Sequence, residues 1–231
     1  HLQITRERLE TEYALKTRAG SIQVSYRTTV EKSAQVTHEF RRELPGGMVI
    51  QAKVTLSVAP AQQGGGVTLE FPYEENSELP QDCRNAVRDA VQEIVAGGGP
   101  SGYPLADTRV TVQEASTVMA EASEPAFLSA TRDALAEAIR RGGETALEPV
   151  MRLEVSAPES QIGNVITDVA ARGGKVLSFD SLTAGNARMV AMVPVAQLIA
   201  YATELRSITG GRAEFTAEPA CMWKVDKQNH G

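Results

Sequence analysis

Histidine and cysteine are scarce in this sequence of 231 residues, and the few that occur are poorly placed for catalysis or metal binding. The histidines are His1, His38 and His230, which lie near the chain ends or in a polar segment, so histidine-based catalysis is not expected. Cys83 and Cys221 are far apart and form no CxxC pair. That spacing argues against a zinc site or a disulfide framework and favours reduced thiols in an intracellular compartment.

Long apolar runs and an excess of positive charge are also lacking. No stretch approaches about 20 consecutive apolar residues, so the sequence predicts no membrane-spanning helix. The chain has 23 Lys and Arg residues against 29 Asp and Glu residues, a formal net charge of −6. Because phosphate binding depends on dense Lys and Arg, this balance argues against a general nucleic-acid binder. Any contact with RNA is expected to use a local basic face.

Catalytic sequence motifs are absent too. There is no GxxxxGK[ST] phosphate loop, no GxGxxG after a strand pattern, and no HExxH or GxSxG motif. The glycine clusters at 64–66 and 97–99 lack a following Lys and predict turns instead. Glu74 and Glu75 lie in an acidic loop, where solvated carboxylates are expected and acid catalysis is not. These residues favour a binding module over an enzyme.

The apolar residues that are present follow two periods in the first part of the chain. Residues 1–15 have a helix-like pattern that is too short to fold alone. From residue 22, alternation predicts half-buried strands in "IQVSYRTTV", "VTHEFRREL", "MVIQAKVTLSVAP" and "VTLEFPY", with turns at 45–47 and 62–66. A helix is predicted up to the glycines at 97–99, then a strand in "YPLADTRVTVQEAS", then a helix that ends near Arg140 and Arg141.

A second block repeats the pattern in a different order. "VMRLEVSAP" predicts a strand, "ESQIGNVITDVAARGG" a helix, and "KVLSFDSLT" with "ARMVAMVPV" a pair of strands. In "VPVAQLIAYATELRSITGG", Leu198, Tyr201, Ala202 and Leu205 predict one apolar helix face. "RAEFTAEP" predicts a last strand. The order βαββαβ is that of a ferredoxin-like domain, one antiparallel sheet with both helices on one face.

Glycine pairs mark the ends of both helices in this block. Gly173 and Gly174 follow the first helix, and Gly210 and Gly211 follow the second. We therefore predict that they form structural turns, since glycine accepts the positive φ that ends a helix. Arg212 follows the second turn, where a cation also suits the C-terminal end of the helix dipole.

Four segments resemble the C-terminal half of translation elongation factor G, at matching order and spacing. They are "GPSGYPLADTRVTV" at 99–112, "LEPVMRLEV" at 147–155, "DVAARGGKVLSF" at 168–179 and "VPVAQLIAYATELRSITGGRAEF" at 193–215. The resemblance implies an α+β fold in three parts. Residues 1–21 would be a remnant of domain III, residues 22–146 domain IV with a ribosomal protein S5 domain 2-like fold, and residues 147–231 the ferredoxin-like domain V.

The resemblance also implies that this chain is part of a longer protein. The chain begins at His1 without an initiator Met. In the family, GTP and Mg are bound by N-terminal domains, so we expect no cofactor in this chain and no GTP hydrolysis by it alone. The implied partner is the ribosome, through both subunits and their RNA, with no membrane contact and a monomeric state.

Two surfaces are candidates for ribosome or RNA contact by resemblance. The first is formed by two loops at the tip of domain IV, and its residues are Arg41, Arg42, Gly46, Gly47, Thr117, Val118 and Met119. The second lies on domain V, and its residues are Arg172, Lys175, Arg206 and Arg212, with Arg188 as a further candidate. One guanidinium group can donate hydrogen bonds to two phosphate oxygens at once, which makes these arginines candidates. Each cation taken alone is equally well explained as a solvated surface charge.

The tip loops depart from those of translocating family members. Those members usually carry a histidine where this chain has Val118, and a glycine- and glutamine-containing loop where it has "RRELPGGMVIQAKV". The altered tips are most similar to the mitochondrial elongation-factor-G-like ribosome-releasing factor 2 type. That type implies ribosome splitting after termination, a ribosome recycling factor as partner and a location in the mitochondrial matrix.

Two other functions stay open. One is that of the same half of a translocating elongation factor G, for which a bacterial cytoplasmic location is the alternative. The other is that of a free-standing ferredoxin-like module that binds a regulatory ligand, which would predict a self-contained fold with a pocket. The helical N-terminal residues, which have no place in such a module, argue against it.

Overall fold

The computed structural model of the protein describes residues 11–13, 23–76, 78–117, 122–182 and 185–225. Within these ranges the chain forms two α+β domains that share one short strand. The strands are β1 (Arg27–Val30), β2 (Ala34–Glu43), β3 (Val49–Pro60), β4 (Val67–Glu70), β5 (Thr108–Ser116), β6 (Glu144–Pro158), β7 (Lys175–Ser181), β8 (Asn186–Pro194) and β9 (Glu214–Lys224). The helices are α1 (Gln81–Gly97), α2 (Glu124–Gly142), α3 (Glu159–Ala171) and α4 (Tyr201–Thr209), with 3₁₀ turns at Pro72–Asn76 and Val195–Leu198. None of the described helices combines the length and apolarity needed to cross a membrane.

The first domain is a four-stranded sheet in the order β2-β3-β5-β4 with α1 and α2 packed on one face. β3 is antiparallel to β2 and to β5, whereas β4 is parallel to β5. The period of two in β3 buries Ala52, Val54, Leu56 and Val58 completely beneath the helices. In the helices, Val87 and Leu135 are also fully buried at inward positions, whereas Ile94 and Leu128 of the same apolar stripes are partly buried.

The second domain confirms the predicted ferredoxin-like arrangement. Its strands lie in the order β9-β6-β8-β7, every neighbouring pair is antiparallel, and α3 and α4 cover one face. The core between helices and sheet contains Leu153, Val165, Met189 and Leu205. Mixed α+β architecture with two sheets is therefore the fold of this chain, as expected.

The predicted helix with the stripe Leu198, Tyr201, Ala202 and Leu205 is wrong at its start, because Leu198 lies outside it. Val193 belongs to β8, where it pairs with Met151, and Val195–Leu198 forms a 3₁₀ turn. Ala200 then adopts a left-handed φ of 63°, which no sequence pattern signals, and α4 begins only at Tyr201. The apolar run continues across all three elements, which explains the misleading helical period. Ala202, which the stripe predicts to face inward, is exposed.

The predicted position of the first strand also needs correction. Alternation suggested that residues 22–30 belong with the strands that follow, but β1 covers only Arg27–Val30 and lies in the other sheet. It pairs antiparallel with β6, from Arg27 opposite Leu147 to Val30 opposite Glu144. A period of two identifies a strand without identifying its partner. As a result, the two domains are connected by backbone hydrogen bonds as well as by the chain.

Candidate nucleic-acid interface

The first tip loop is a tight turn between β2 and β3. The Met48 carbonyl accepts a hydrogen bond from the Leu44 amide at 2.8 Å, and the Leu44 carbonyl accepts one from the Gly47 amide at 3.1 Å. Gly46 and Gly47 have φ values of 98° and 80°, which residues with a Cβ atom rarely adopt. The turn therefore depends on both glycines, and it leaves Met48 exposed at the end of the domain.

The second tip loop begins at the same end of the sheet. Ser116 at the end of β5 pairs with Lys53 of β3, and the Thr117 hydroxyl donates to the Gln51 carbonyl at 2.9 Å. The structure thus brings Thr117 close to the β2–β3 turn, as an interface made of two loops requires. Val118 and Met119, the other two candidates in this loop, lie outside the described residues.

Arg41 and Arg42 are exposed near the end of β2. They pair with Gln51 and Ile50 of β3, so their side chains point to opposite faces of the sheet. Neither arginine forms an ion pair with another described residue. Two guanidinium groups at this tip are therefore available to an external phosphate, one on each face.

The open face of this sheet is polar, but its other charges are largely paired. Lys53 lies 3.4 Å from a carboxylate oxygen of Glu114. Hydrogen bonds from Ser116, and then from Lys53 and Thr55, lower the pKa of Glu114, which keeps it ionised. Arg109 similarly pairs with Glu70 at 3.4 Å. Consequently Arg41 is the cation on this face with its charge least compensated by described neighbours.

Arg172 in the second domain is committed to contacts inside the fold. Its Nε donates to Asp168 one helical turn earlier at 2.8 Å, and its Nη1 donates to the Gln197 carbonyl at 2.9 Å. The guanidinium also lies 5.2 Å from the centre of the Tyr201 ring. Only 17% of the side chain is exposed. These contacts make Arg172 primarily a packing residue that joins α3 to the segment before α4.

The other basic candidates of this domain are more accessible. Lys175 and Arg206 are exposed, and their side chains form no ion pair with a described residue. Arg188 lies 3.5 Å from Glu154 and 3.9 Å from Asp180, so two carboxylates offset its charge. Lys175 and Arg206 therefore remain the stronger candidates for contact with phosphate.

Arg212 lies at the corner between α4 and β9. Gly210 and Gly211 have φ values of 58° and 75°, and the Gly211 amide donates to the Arg206 carbonyl at 2.9 Å. With the Gln161 amide oriented to satisfy its neighbours, its nitrogen donates to the Thr209 carbonyl at 2.9 Å and its oxygen accepts from Arg212 at 2.5 Å. This corner therefore ties α4 to α3 and leaves only part of the guanidinium for an outside partner.

The corner after α3 uses its two glycines differently. Gly173 has a positive φ of 69°. Gly174 does not have a positive φ, but neighbouring atoms of Val169 and Val193 lie close to it. A Cβ on Gly174 would lie 2.7 Å from Val169 Cγ1 and 3.0 Å from Val193 Cγ2. Gly174 is therefore needed for the close approach of α3 to β8.

Sequence reasoning missed the residues that hold the basic side chains in place. Asp168 could have been found, since an acidic residue four positions before Arg172 on a helix is a recognisable ion-pair spacing. Gln161 and the Gln197 carbonyl could not, because they meet their partners only in the folded domain. The described residues also contain no group of three His, Cys, Asp or Glu side chains placed to hold a metal ion.

Comparison with known proteins identifies both domains. The family model described as elongation factor G, domain IV matches residues 22–143, and the model described as elongation factor G C-terminus matches residues 145–230. A crystal structure of the protein ttk003000868 from Thermus thermophilus is similar, with a TM-score of 0.79 and 26% sequence identity over 98% of this chain. The present chain spans 33% of the length of that protein.

Proposed function

This chain belongs to the elongation factor G family, and from that premise we propose that it is the ribosome-contacting part of a translational GTPase that splits ribosomes into subunits after termination. Its partners would be both ribosomal subunits, through their RNA, and a ribosome recycling factor. Two adjacent models of one family cover residues 22–143 and 145–230, which favours this role over a free-standing ligand-binding module.

The observation that carries the splitting role is the chemistry of the domain IV tip. Val118 and Met119 have no hydrogen-bond donor in their side chains, and the turn between β2 and β3 presents Gly46, Gly47 and Met48. A loop that guides tRNA and messenger RNA needs donors for backbone and base oxygens. A tip without donor side chains at positions 118 and 119 suits a wedge between surfaces better than it suits a guide for RNA.

The runner-up function is translocation, and two observations favour it. Thr117 and the β2–β3 turn lie at the same end of the first domain, and Arg41 and Arg42 are exposed beside them. Such a tip can still bind phosphate by charge alone. In translocation the tip would bind RNA phosphates through Arg41 and Arg42, whereas in splitting it would act as a wedge between ribosomal surfaces.

GTP and Mg would be bound by other domains of the full-length protein. This chain has no phosphate-binding loop in its sequence. We therefore assign no step of GTP hydrolysis to its residues, which would contribute shape and surface. We propose a location in the mitochondrial matrix, because the tip sequences resemble those of the releasing type, with a bacterial cytoplasm as the alternative.

The deciding experiment measures subunit dissociation by light scattering. Full-length protein, recycling factor and GTP are mixed with intact ribosomes, and we expect scattering to fall as subunits separate. The variant Val118→His introduces a donor at the tip and should slow the fall, whereas Val118→Leu keeps the tip apolar and is the matched control. Vigorous movement of tRNA and messenger RNA by the wild-type protein, without any dissociation, would contradict the proposal and favour translocation.

A further inference from the structure

Strand β1 is bonded to both domains at once. On one edge it pairs with residues 144–147 of β6. On the other edge, the Thr28 amide donates to the Pro104 carbonyl at 2.9 Å, and the Thr28 carbonyl accepts from the Ala106 amide at 2.7 Å. Thr28 and Val30 are each 1% exposed. The strand is thus a buried strap between the segment before β5 and the sheet of the second domain.

Asp107 holds this strap from the side of the first domain. It is almost fully buried and has a φ of 48°, a left-handed conformation that is uncommon for a residue other than glycine. Its carbonyl accepts from the Ala61 amide at 2.8 Å and from the Thr29 hydroxyl at 3.2 Å, while its carboxylate accepts from the Gly66 amide at 3.3 Å. A single strained residue therefore joins β1, the loop after β3 and the start of β5.

A second contact joins the loop after β3 to the second domain. The Gln63 side chain, in the loop after β3, donates to the Met222 carbonyl of β9 at 2.5 Å. The loop that carries Gln63 also carries the amides that Asp107 binds. Asp107 and Gln63 therefore act on the same loop, one through the strap and one through the last strand.

The direct covalent connection would otherwise allow movement. α2 ends at Gly142, Gly143 has a φ of 76°, and β6 begins at Glu144, so the two domains are joined through consecutive glycines. Domains joined by a short linker move relative to each other unless a substantial interface prevents it. Residues held in sparsely populated backbone conformations cluster where the surrounding structure fixes a functional geometry.

We propose that Asp107 is a positioning residue that, together with Gln63, fixes the angle between the tip-bearing domain and the C-terminal domain. Through β1, the two domains form one stiff lever, and the placement of Arg41, Arg42 and the tip loops relative to the second domain is set at this junction. The consequence for ribosome splitting rests on the function proposed above. The stiffness itself does not.

The test measures the distance between the domains by pulsed electron paramagnetic resonance. Spin labels are attached at Gln92→Cys on α1 and Ala170→Cys on α3, both exposed positions, in the 231-residue chain with Cys221→Ser and the buried Cys83 retained. Asp107→Gly accepts the left-handed φ and keeps the backbone carbonyl, but it removes the carboxylate that binds the Gly66 amide and makes the backbone at this position more flexible. Asp107→Asn accepts the same φ and keeps an acceptor oxygen in the side chain. Gln63→Ala removes the second contact at an exposed position.

We expect a narrow distance distribution for the wild type and for Asp107→Asn. The double variant Asp107→Gly/Gln63→Ala should widen the distribution at least twofold while circular dichroism remains that of the wild type. An unchanged width in the double variant, or an equally wide distribution in the wild type, would overturn the proposal. A broad distribution with lost circular dichroism would show unfolding of the double variant. The folded variant Asp107→Asn/Gln63→Ala then decides: a wider distance distribution than that of the wild type supports the proposal, and an unchanged width contradicts it.

Splitting assays separate this inference from the proposed function. In the full-length protein, Asp107→Gly/Gln63→Ala should lower the splitting rate at least fivefold while ribosome affinity changes less than twofold. If the wild-type protein does not split ribosomes, the proposed function fails and the distance measurement still decides the stiffness. Equal splitting rates for a loosened variant and the wild type would show that the junction does not act in splitting.

Discussion

The guanidinium of Arg172 lies over the ring of Tyr201, 5.2 Å from its centre, and thereby joins the end of α3 to the start of α4. The same arginine pairs with Asp168 and donates to the Gln197 carbonyl. Phe215 packs edge to face on the Tyr201 ring at 5.3 Å. A cation in the loop after α3 is therefore part of the packing of the second domain, which separates it from the exposed cations nearby.

Arg172→Ala should destabilise the second domain by about 1–3 kcal/mol, because it removes a charge-assisted hydrogen bond and a contact with an aromatic ring. Arg172→Lys should recover only part of this, since an ammonium cannot make the two-nitrogen contact. Urea unfolding followed by circular dichroism measures the change. Arg206→Ala, which removes an exposed arginine, is the control and should change the unfolding free energy by less than about 0.5 kcal/mol. Equal effects for the two alanines would contradict the assignment.

Tyr201→Phe should leave stability at neutral pH unchanged or raise it by about 1 kcal/mol. The Tyr201 hydroxyl is buried and has no hydrogen-bond partner in the described part of the chain. Burying such a group costs free energy that the phenylalanine avoids, while the ring contacts with Arg172 and Phe215 remain. Thermal unfolding at neutral pH provides the measurement, and a loss above about 1 kcal/mol would mean that the hydroxyl has a stabilising partner.

The stability of the protein at alkaline pH should depend on the titration of the Tyr201 hydroxyl. Burial, and then the Asp168 carboxylate, raise the pKa of Tyr201 to about 12 from its usual 10.0. A raised folded-state pKa means that the unfolded chain releases its proton first, so stability falls as pH rises from about 10 to about 12. Tyr201→Phe should reduce this loss, measured as the difference in unfolding free energy between about pH 9 and about pH 11. Identical pH profiles for both proteins would contradict the raised pKa.

Much of this fold can be read from the sequence because its signals are local. The inward positions of β3 and the stripe on α2 follow from the strand period of about 2 and the helix period of about 3.6, and βαββαβ order specifies the second sheet. The choice of partner for β1 and the left-handed Ala200 depend on distant packing, and no local pattern reveals them. Glycine turns show the opposite case, since the residue type itself indicates the required backbone angle.

The candidate site, too, could be predicted from the sequence only in part. Basic residues are visible in the sequence, but whether a cation is free depends on neighbours that only the folded chain supplies. Arg172 and Arg206 look alike in the sequence, yet the first is enclosed by Asp168, Gln197 and Tyr201, and the second is exposed. Sequence patterns therefore select candidates for phosphate contact, and burial separates them.

Arg41→Ala/Arg42→Ala should weaken ribosome binding by the full-length protein and reduce its dependence on salt. Each phosphate contact releases counterions, so removing contacts flattens the slope of log affinity against log salt concentration. The control is Arg140→Ala/Arg141→Ala, which removes the same charge where both arginines pair with Glu137. Sedimentation with ribosomes at salt concentrations from about 50 to about 200 mM measures both. Equal slopes for both double variants would rule out a specific phosphate contact at the tip.

Leu205→Ala should cost about 2–5 kcal/mol, because this side chain is 2% exposed in the core between α4 and the sheet. Ala202 lies one turn earlier on the same helix but faces solvent, so Ala202→Ser is the matched control and should change stability by less than about 0.5 kcal/mol. The pair also tests the inward face of α4, since the apolar stripe in the sequence predicts that both positions are buried. Unfolding free energies from urea titration decide: a loss above about 1 kcal/mol for Ala202→Ser would indicate a buried position, and a large loss at Leu205 alone supports a helix face that leaves Ala202 in solvent.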